Sequence, residues 1–336
     1  MRTSGLFDLQ INGYAGVDFN DAALTPDALD HALHAMLRSG VTACLPTLIT
    51  APEDVLAARF AALDAAVARS RLGPVMVPGY HLEGPFLNDM PGYAGCHPAA
   101  AMVPPDRTMI QRLAAELHRP ILLLTLAPER DGAVELIAWA RSVGIVTAMG
   151  HTAATTADVA LAADAGLRLS THLGNALPQP QPKFLNPLMA QLAEDRLHAS
   201  FIADGIHIPP TALKVLLRAK GLERSILVTD ATAGAAAPPG IYDFAGMRIE
   251  RGADGSVREP GSPVLAGSAL CLDQAVRNVV VWGLAPFETA VAMASVHPSA
   301  LLASGVEKAE GAVVWDEALC PVDVEVGGVR WRRKIG

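Results

Sequence analysis

VMVPGYHLE, residues 75–83, is an apolar run that closes on His81 and Glu83. A short apolar stretch bounded by Pro and Gly reads as a buried strand. A carboxylate at its end is costly to bury without a partner. The pattern recurs along the chain. Leu6–Asn12 ends on Gln10 and Asn12, Val146–His151 on His151, and Leu167–Leu173 carries His172 with Asn175 just beyond. Ala199–Asp204 ends on Asp204 with His207 beyond, and Ser225–Asp230 ends on Asp230. Thr42–Ile49 and Ile121–Ala127 complete a set of eight strand candidates.

Helical periods fill the gaps, most clearly at Pro26–Ser39, Glu53–Ser70, Pro105–His118, Ala133–Ser142, Thr155–Ala165 and Pro210–Lys220. Near-continuous apolar strands alternating with helices imply a parallel sheet covered on both faces. Eight such units predict a (β/α)8 barrel, an α/β fold of the TIM type. The doubly wound open sheet is the competitor, but no G-x-G-x-x-G follows the first strand. In a barrel, chemistry gathers where the strands end, and the polar residues fall there. One carboxylate and two imidazoles on three strand ends, Glu83, His151 and His172, suit a divalent metal with an open position. Taken singly, each has a structural alternative: a satisfied core histidine, or for Asp230 a helix cap. His31, His34, His118 and His198 lie in or beside helices and read as structural.

Beyond Asp230 the rhythm changes. Tyr242–Arg258 reads as a hairpin around Ala253-Asp254-Gly255, followed by helical stretches at Ser268–Trp282 and Pro286–Ser304. Ala312–Trp315, Val322–Val326 and Val329–Arg332 alternate like short strands. The expected division is a barrel over 1–305, including the hairpin at 242–258, and a short β tail over 306–336.

Composition fits this picture. The 336 residues are 51% hydrophobic and 18% charged, with a net charge of −8 and no block of like charge. That argues against a nucleic-acid groove or a basic membrane-binding face. No apolar run reaches the roughly 20 residues that span a bilayer, and Met1–Gln10 lacks the apolar core of a signal peptide. Cys44, Cys96, Cys271 and Cys320 form no C-x-x-C pair. A cytoplasmic protein is the expectation.

Seven segments carry a resemblance: DLQINGYAGVDFND (8–21), HLEGPFLN (81–88), GHTAAT (150–155), THLGNAL (171–177), IADGIHIPP (202–210), LVTDATAGA (227–235) and LAGSALCLDQAVRN (265–278). In this order they resemble the N-acetylglucosamine-6-phosphate deacetylases of the amidohydrolase superfamily. The resemblance implies metal ligands at Glu83, His151 and His172 and a catalytic aspartate at Asp230. His207 then lies near the substrate, His97 matches the family's GAHP element, and Asn175 and Ala176 match the residues that contact the sugar. Gln10 and Asn12 stand where many amidohydrolases carry a His-x-His pair. This implies a single divalent ion, Zn2+ first, with Fe2+ or another ion as alternatives. A small-molecule amide substrate and a homodimer are implied as well.

Three departures bear on the substrate. Gly174 replaces an aromatic residue, which would loosen the pocket beside the metal. PQPQPKFLNP (178–187) lacks the arginine that meets the substrate phosphate, leaving Lys183 as the nearest cation; lysine offers a point charge rather than a fork. The N-terminal segment that partners the β tail in the family does not precede Leu6–Asn12. Two alternatives follow: hydrolysis of a different, unphosphorylated or cyclic amide, or a non-catalytic sugar-binding relative.

Overall fold

The computed structural model describes residues 1–302 and 309–333. The eight strand candidates all form, as β1 (Leu6–Ile11), β2 (Val41–Ile49), β3 (Tyr80–Glu83), β4 (Ile121–Leu126), β5 (Val146–Met149), β6 (Leu169–Ser170), β7 (His198–Ile202) and β8 (Ser225–Val228). They make one parallel sheet in that order. Between β8 and β1 the ladder shrinks to an isolated Ile11–Ala231 bridge. Backbone bonds from Asp230 N to Gln10 O (2.9 Å) and Asn12 N to Ala231 O (2.7 Å) tie this seam. The barrel is thereby closed.

The helices form where the periods place them. Pro26–Arg38 starts behind Thr25, whose Oγ1 accepts from Ala28 N at 3.2 Å. It buries Leu29, Leu33, Met36 and Leu37 on one face, each contributing about 1.5–3 kcal/mol. Thr156–Ala165 opens with a Thr155/Asp158 capping box and stops at Gly166, whose φ is +123°. Pro105–His118 shortens to Arg107–Ala114, because Asp106 caps it through Thr108 N.

Two expectations change. Val75–Val77 is not strand: Gly73–Met76 is a short helix with Pro in its first turn, and β3 starts only at Tyr80, after Pro78 and Gly79. Proline suits a first helical turn and fits poorly in a central strand. The hairpin is a three-stranded meander, Gly240–Phe244, Met247–Arg251 and Val257–Arg258. Its first turn falls at Ala245-Gly246, both at positive φ, so Ala253–Gly255 joins the second strand to the third.

The tail strands Gly311–Trp315, Pro321–Val326 and Val329–Arg332 gain a fourth member from the other end of the described chain. Arg2–Ser4 pairs antiparallel with Gly311–Trp315, and Trp315 Nε1 donates to Thr3 Oγ1 at 2.8 Å. This sheet therefore draws on both sides of the expected 305/306 division. That division and the expected end of the helical stretch at Ser304 lie outside the described residues. Among the described residues no helix is long and apolar enough to cross a membrane.

Candidate active site

The ends of β1, β3, β5, β6 and β8 converge on a cavity of about 690 Å³. Its floor is the Glu83 carboxylate, 2% exposed. Oε1 accepts from Gln10 Nε2 (3.1 Å), lies 3.0 Å from His172 Nε2 and 3.5 Å from His151 Nε2, while Oε2 lies 3.6 Å from His97 Nε2. Burial alone would raise the Glu83 pKa. The facing imidazoles of His151, His172 and His97 outweigh it and hold the carboxyl well below its usual range.

This donor set fits a divalent metal. His151 Nδ1 donates to Tyr93 O at 2.8 Å, which turns Nε2 toward the cavity floor, buried and without a hydrogen-bond partner. His97 Nδ1 lies 2.8 Å from Thr50 Oγ1, with its Nε2 turned to Glu83. Ligand atoms of Glu83, His97 and His151 lie within 4.8 Å of one another. One carboxylate with imidazoles is a donor set for zinc and similar ions.

Asp230 hangs over this floor. Its Oδ1 accepts from Asn12 Nδ2 (2.8 Å) and Gln10 Nε2 (3.2 Å), so the amides on β1 hold the aspartate in place. Burial, and then the charge of Glu83, push its carboxyl up to about 6. His151, His172, Ala176 and Asp230 all have φ between +29° and +51°, a region non-glycine residues enter at a cost of about 1–3 kcal/mol. Such strain persists only where the surroundings impose it. Here the strand ends impose it on four residues of one cavity.

No protein-family model matches the sequence. Individual relatives do. An N-acetylgalactosamine-6-phosphate deacetylase from Escherichia coli O157:H7 is 35% identical over 298 residues, 88% of this chain and 76% of the relative. An N-acetylglucosamine-6-phosphate deacetylase from Bacillus subtilis is 34% identical, over 82% of this chain and 68% of its own. Among solved structures, the N-acetyl-D-glucosamine-6-phosphate deacetylase of Mycobacterium smegmatis superposes with a TM-score of 0.88 at 30% identity, covering 98% of this chain and 87% of that one. The chain belongs to the N-acetylglucosamine-6-phosphate deacetylase family. It is an amidohydrolase.

The remaining residues expected from the family divide into two groups. His207, Asn175 and Ala176 line the cavity. His207 is steadied by Asp204, whose Oδ2 lies 2.6 Å from Nδ1 and whose Oδ1 accepts from His207 N at 2.9 Å. Asn175 folds back so that its Nδ2 donates to His172 O at 2.9 Å. His97, expected beside the substrate, lines the cavity too, with Nε2 3.6 Å from Glu83 Oε2. Gly174 and Lys183 are not on the cavity wall. A Cβ on Gly174 would meet Ile208 and Leu216 at 3.7 Å, in the direction of the barrel's outer helices. Lys183 is exposed, with Nζ 5.4 Å from the Phe184 ring centroid.

Other contributors were not anticipated. Cys96, Phe244 and Leu265 form an apolar wall, the last two from the meander and its exit loop. Cys96 lies 13 positions beyond Glu83 in the loop after β3, and Phe244 and Leu265 lie beyond the last barrel strand, so no strand-end pattern marks them. His81 lies in the barrel lumen, where Nδ1 is 3.2 Å from Thr47 Oγ1 and Nε2 2.8 Å from Thr125 Oγ1. Burial lowers its pKa to about 4 and keeps it neutral.

Proposed function

We propose that this chain hydrolyses the acetamide of N-acetylglucosamine 6-phosphate, releasing acetate and the free amine. The observation that carries this is the buried convergence of Glu83 with three imidazoles beneath Asp230, in a chain of this family. Glu83, His151 and His172 would hold one divalent ion, Zn2+ first, with His97 against the bound amide. When bound there, such an ion supplies Lewis acidity and a water of lowered pKa.

The chain's own residues do the rest. Asp230, steadied by Gln10 and Asn12, takes the proton from the attacking water and returns it to the leaving nitrogen, as base and then acid. His207, backed by Asp204, donates to the carbonyl oxygen as charge develops there. Asn175 and Ala176 bound the sugar, while Phe244, Cys96 and Leu265 keep water from that side of the cavity. The C–N bond breaks, water's oxygen stays with the acyl carbon, and its protons are shared between the products.

The test is the ratio of kcat/KM for N-acetylglucosamine 6-phosphate, its galacto epimer and both unphosphorylated sugars, on zinc-loaded protein. Acetate release fastest from the gluco 6-phosphate supports the reading; no release from any of them removes it. The galacto epimer is the specific second reading, since the Escherichia coli relative is named for it. A homodimer and a cytoplasmic location belong to the same reading. Sedimentation tests the dimer, and a monomer at micromolar concentration would dismiss it.

A further inference from the structure

Asp8 has no place in the chemistry so far, yet it is a carboxylate with no solvent exposure at the end of the barrel seam. It shares a strand face with Gln10 and Asn12, since alternate residues of β1 point the same way. Its Oδ2 accepts from Thr229 Oγ1 at 2.6 Å, and its Oδ1 from Thr229 N at 3.2 Å and Gln10 N at 3.3 Å. One side chain thus holds two backbones. On one side is the residue just before Asp230; on the other is Gln10, whose own side chain clamps Asp230. The site lies where strand pairing is thinnest, at the isolated Ile11–Ala231 bridge and the backbone bonds Asp230 N to Gln10 O and Asn12 N to Ala231 O. These bonds set the backbone register at the strand ends, and the Asp8 bonds brace it one residue earlier, at Thr229.

We infer that Asp8, acting through Thr229, is a positioning residue for hydrolysis: it sets the location of the Asp230 carboxylate relative to Gln10, Asn12 and the Glu83 floor. Asp8 touches neither substrate nor reacting atoms. Its loss leaves the donor set whole and moves the proton carrier. Since a displacement of about 1 Å in a reacting group costs on the order of 100-fold, the effect falls on kcat rather than on substrate binding. Thr229 is the second half of the device. Its hydroxyl also lies 3.3 Å from Gln10 O and accepts from Ala231 N at 3.1 Å.

This rests on the proposed deacetylation, so the experiment begins with wild-type, zinc-loaded protein. No acetate release from N-acetylglucosamine 6-phosphate would defeat that reading before the seam is tested. Given activity, three variants follow: Asp8→Asn, Thr229→Val and Thr229→Ser. The first two are expected to keep about one zinc per chain and a KM within about threefold, with kcat down at least tenfold. Thr229→Ser, which keeps the hydroxyl, is expected to restore kcat to within about threefold of wild type. Two results overturn the inference: unchanged kcat in both disrupting variants, or a loss of kcat in Thr229→Ser matching that in Thr229→Val. If Asp8→Asn does not fold, the contrast between Val and Ser at 229 decides the matter.

Discussion

The floor of the cavity and the rim at 178–187 are built on opposite principles. On the floor, Glu83, His97 and His151 are buried, Asp230 above them is half-buried, each side chain has an assigned partner, and several backbones are held at positive φ. On the rim, Lys183, Phe184 and Leu185 stand in solvent, and Leu185 is 86% exposed. The difference separates two tasks. Bond cleavage needs groups held to a fraction of an ångström, and rigid strand ends supply that. The other task, substrate recognition, finds no buried side chain at 183–185.

Substitutions on the two sides should therefore differ by orders of magnitude. Glu83→Gln comes first. It is expected to lose bound zinc on metal analysis, to lose the rise in Tm that added zinc gives the wild type, and to lower kcat/KM by more than about 10^4-fold. Retention of metal and activity would undo the floor as described. Asp230→Asn is next: metal content should remain, with kcat down about 10^2- to 10^4-fold. Full turnover in that variant would move the proton carrier elsewhere.

Two of the three histidines facing Glu83 sharpen the picture further. His172→Ala is expected to release the ion, whereas His97→Ala should keep it and raise KM about tenfold. The reverse outcome would exchange their roles, which the 3.6 Å approach of His97 to Glu83 makes a fair contest. Smallest is Lys183→Ala, expected to change kcat/KM for the 6-phosphate by less than about threefold, in line with the small worth of exposed charges. A loss of tenfold or more would show the rim recruited to the phosphate and erase the contrast.

A stability prediction concerns the seam. Burial pushes the Asp8 carboxyl up to about 7 from 3.8. The folded state then holds a proton that the unfolded chain releases. This group's contribution is therefore full below about pH 4 and declines as pH rises to about 7, by up to about 4 kcal/mol. Asp8→Asn should flatten that decline in denaturant titrations run between pH 4 and 8. An unaltered slope would show that the burial of Asp8 is not felt by the fold.

Much of this was readable beforehand, for a physical reason. Strands buried on both faces must be apolar, so a polar residue at a strand end, such as Glu83, His151 or Asp230, stands out against its own run. Asp8 shares the alternation of Gln10 and Asn12 but is flanked by Phe7 and Leu9 in the middle of β1, where no strand-end rule applies. Cys96, Phe244 and Leu265 reach the cavity from a loop and from the meander and its exit, so only the three-dimensional path joins them to the site. Gly174 and Lys183 stood out by likeness, and likeness does not report direction: one faces Ile208 and Leu216, the other faces solvent. The short helix at Gly73–Met76 was hidden because Val75, Met76 and Val77 suit a buried helix turn as well as a strand.

The four-stranded sheet has a consequence in time. The Met1 amino group bonds Trp315 O across 314 positions, and the Asp8–Thr229 tie spans 221. At a synthesis rate of about 5–20 residues per second, the partner of Arg2–Ser4 emerges roughly 16–60 s after it. Until then Arg2–Ser4 has no partner in this sheet. The barrel edge at Leu6–Ile11 is covered sooner, because Thr229 reaches Asp8 well before Ala312–Val314 reaches Arg2–Ser4.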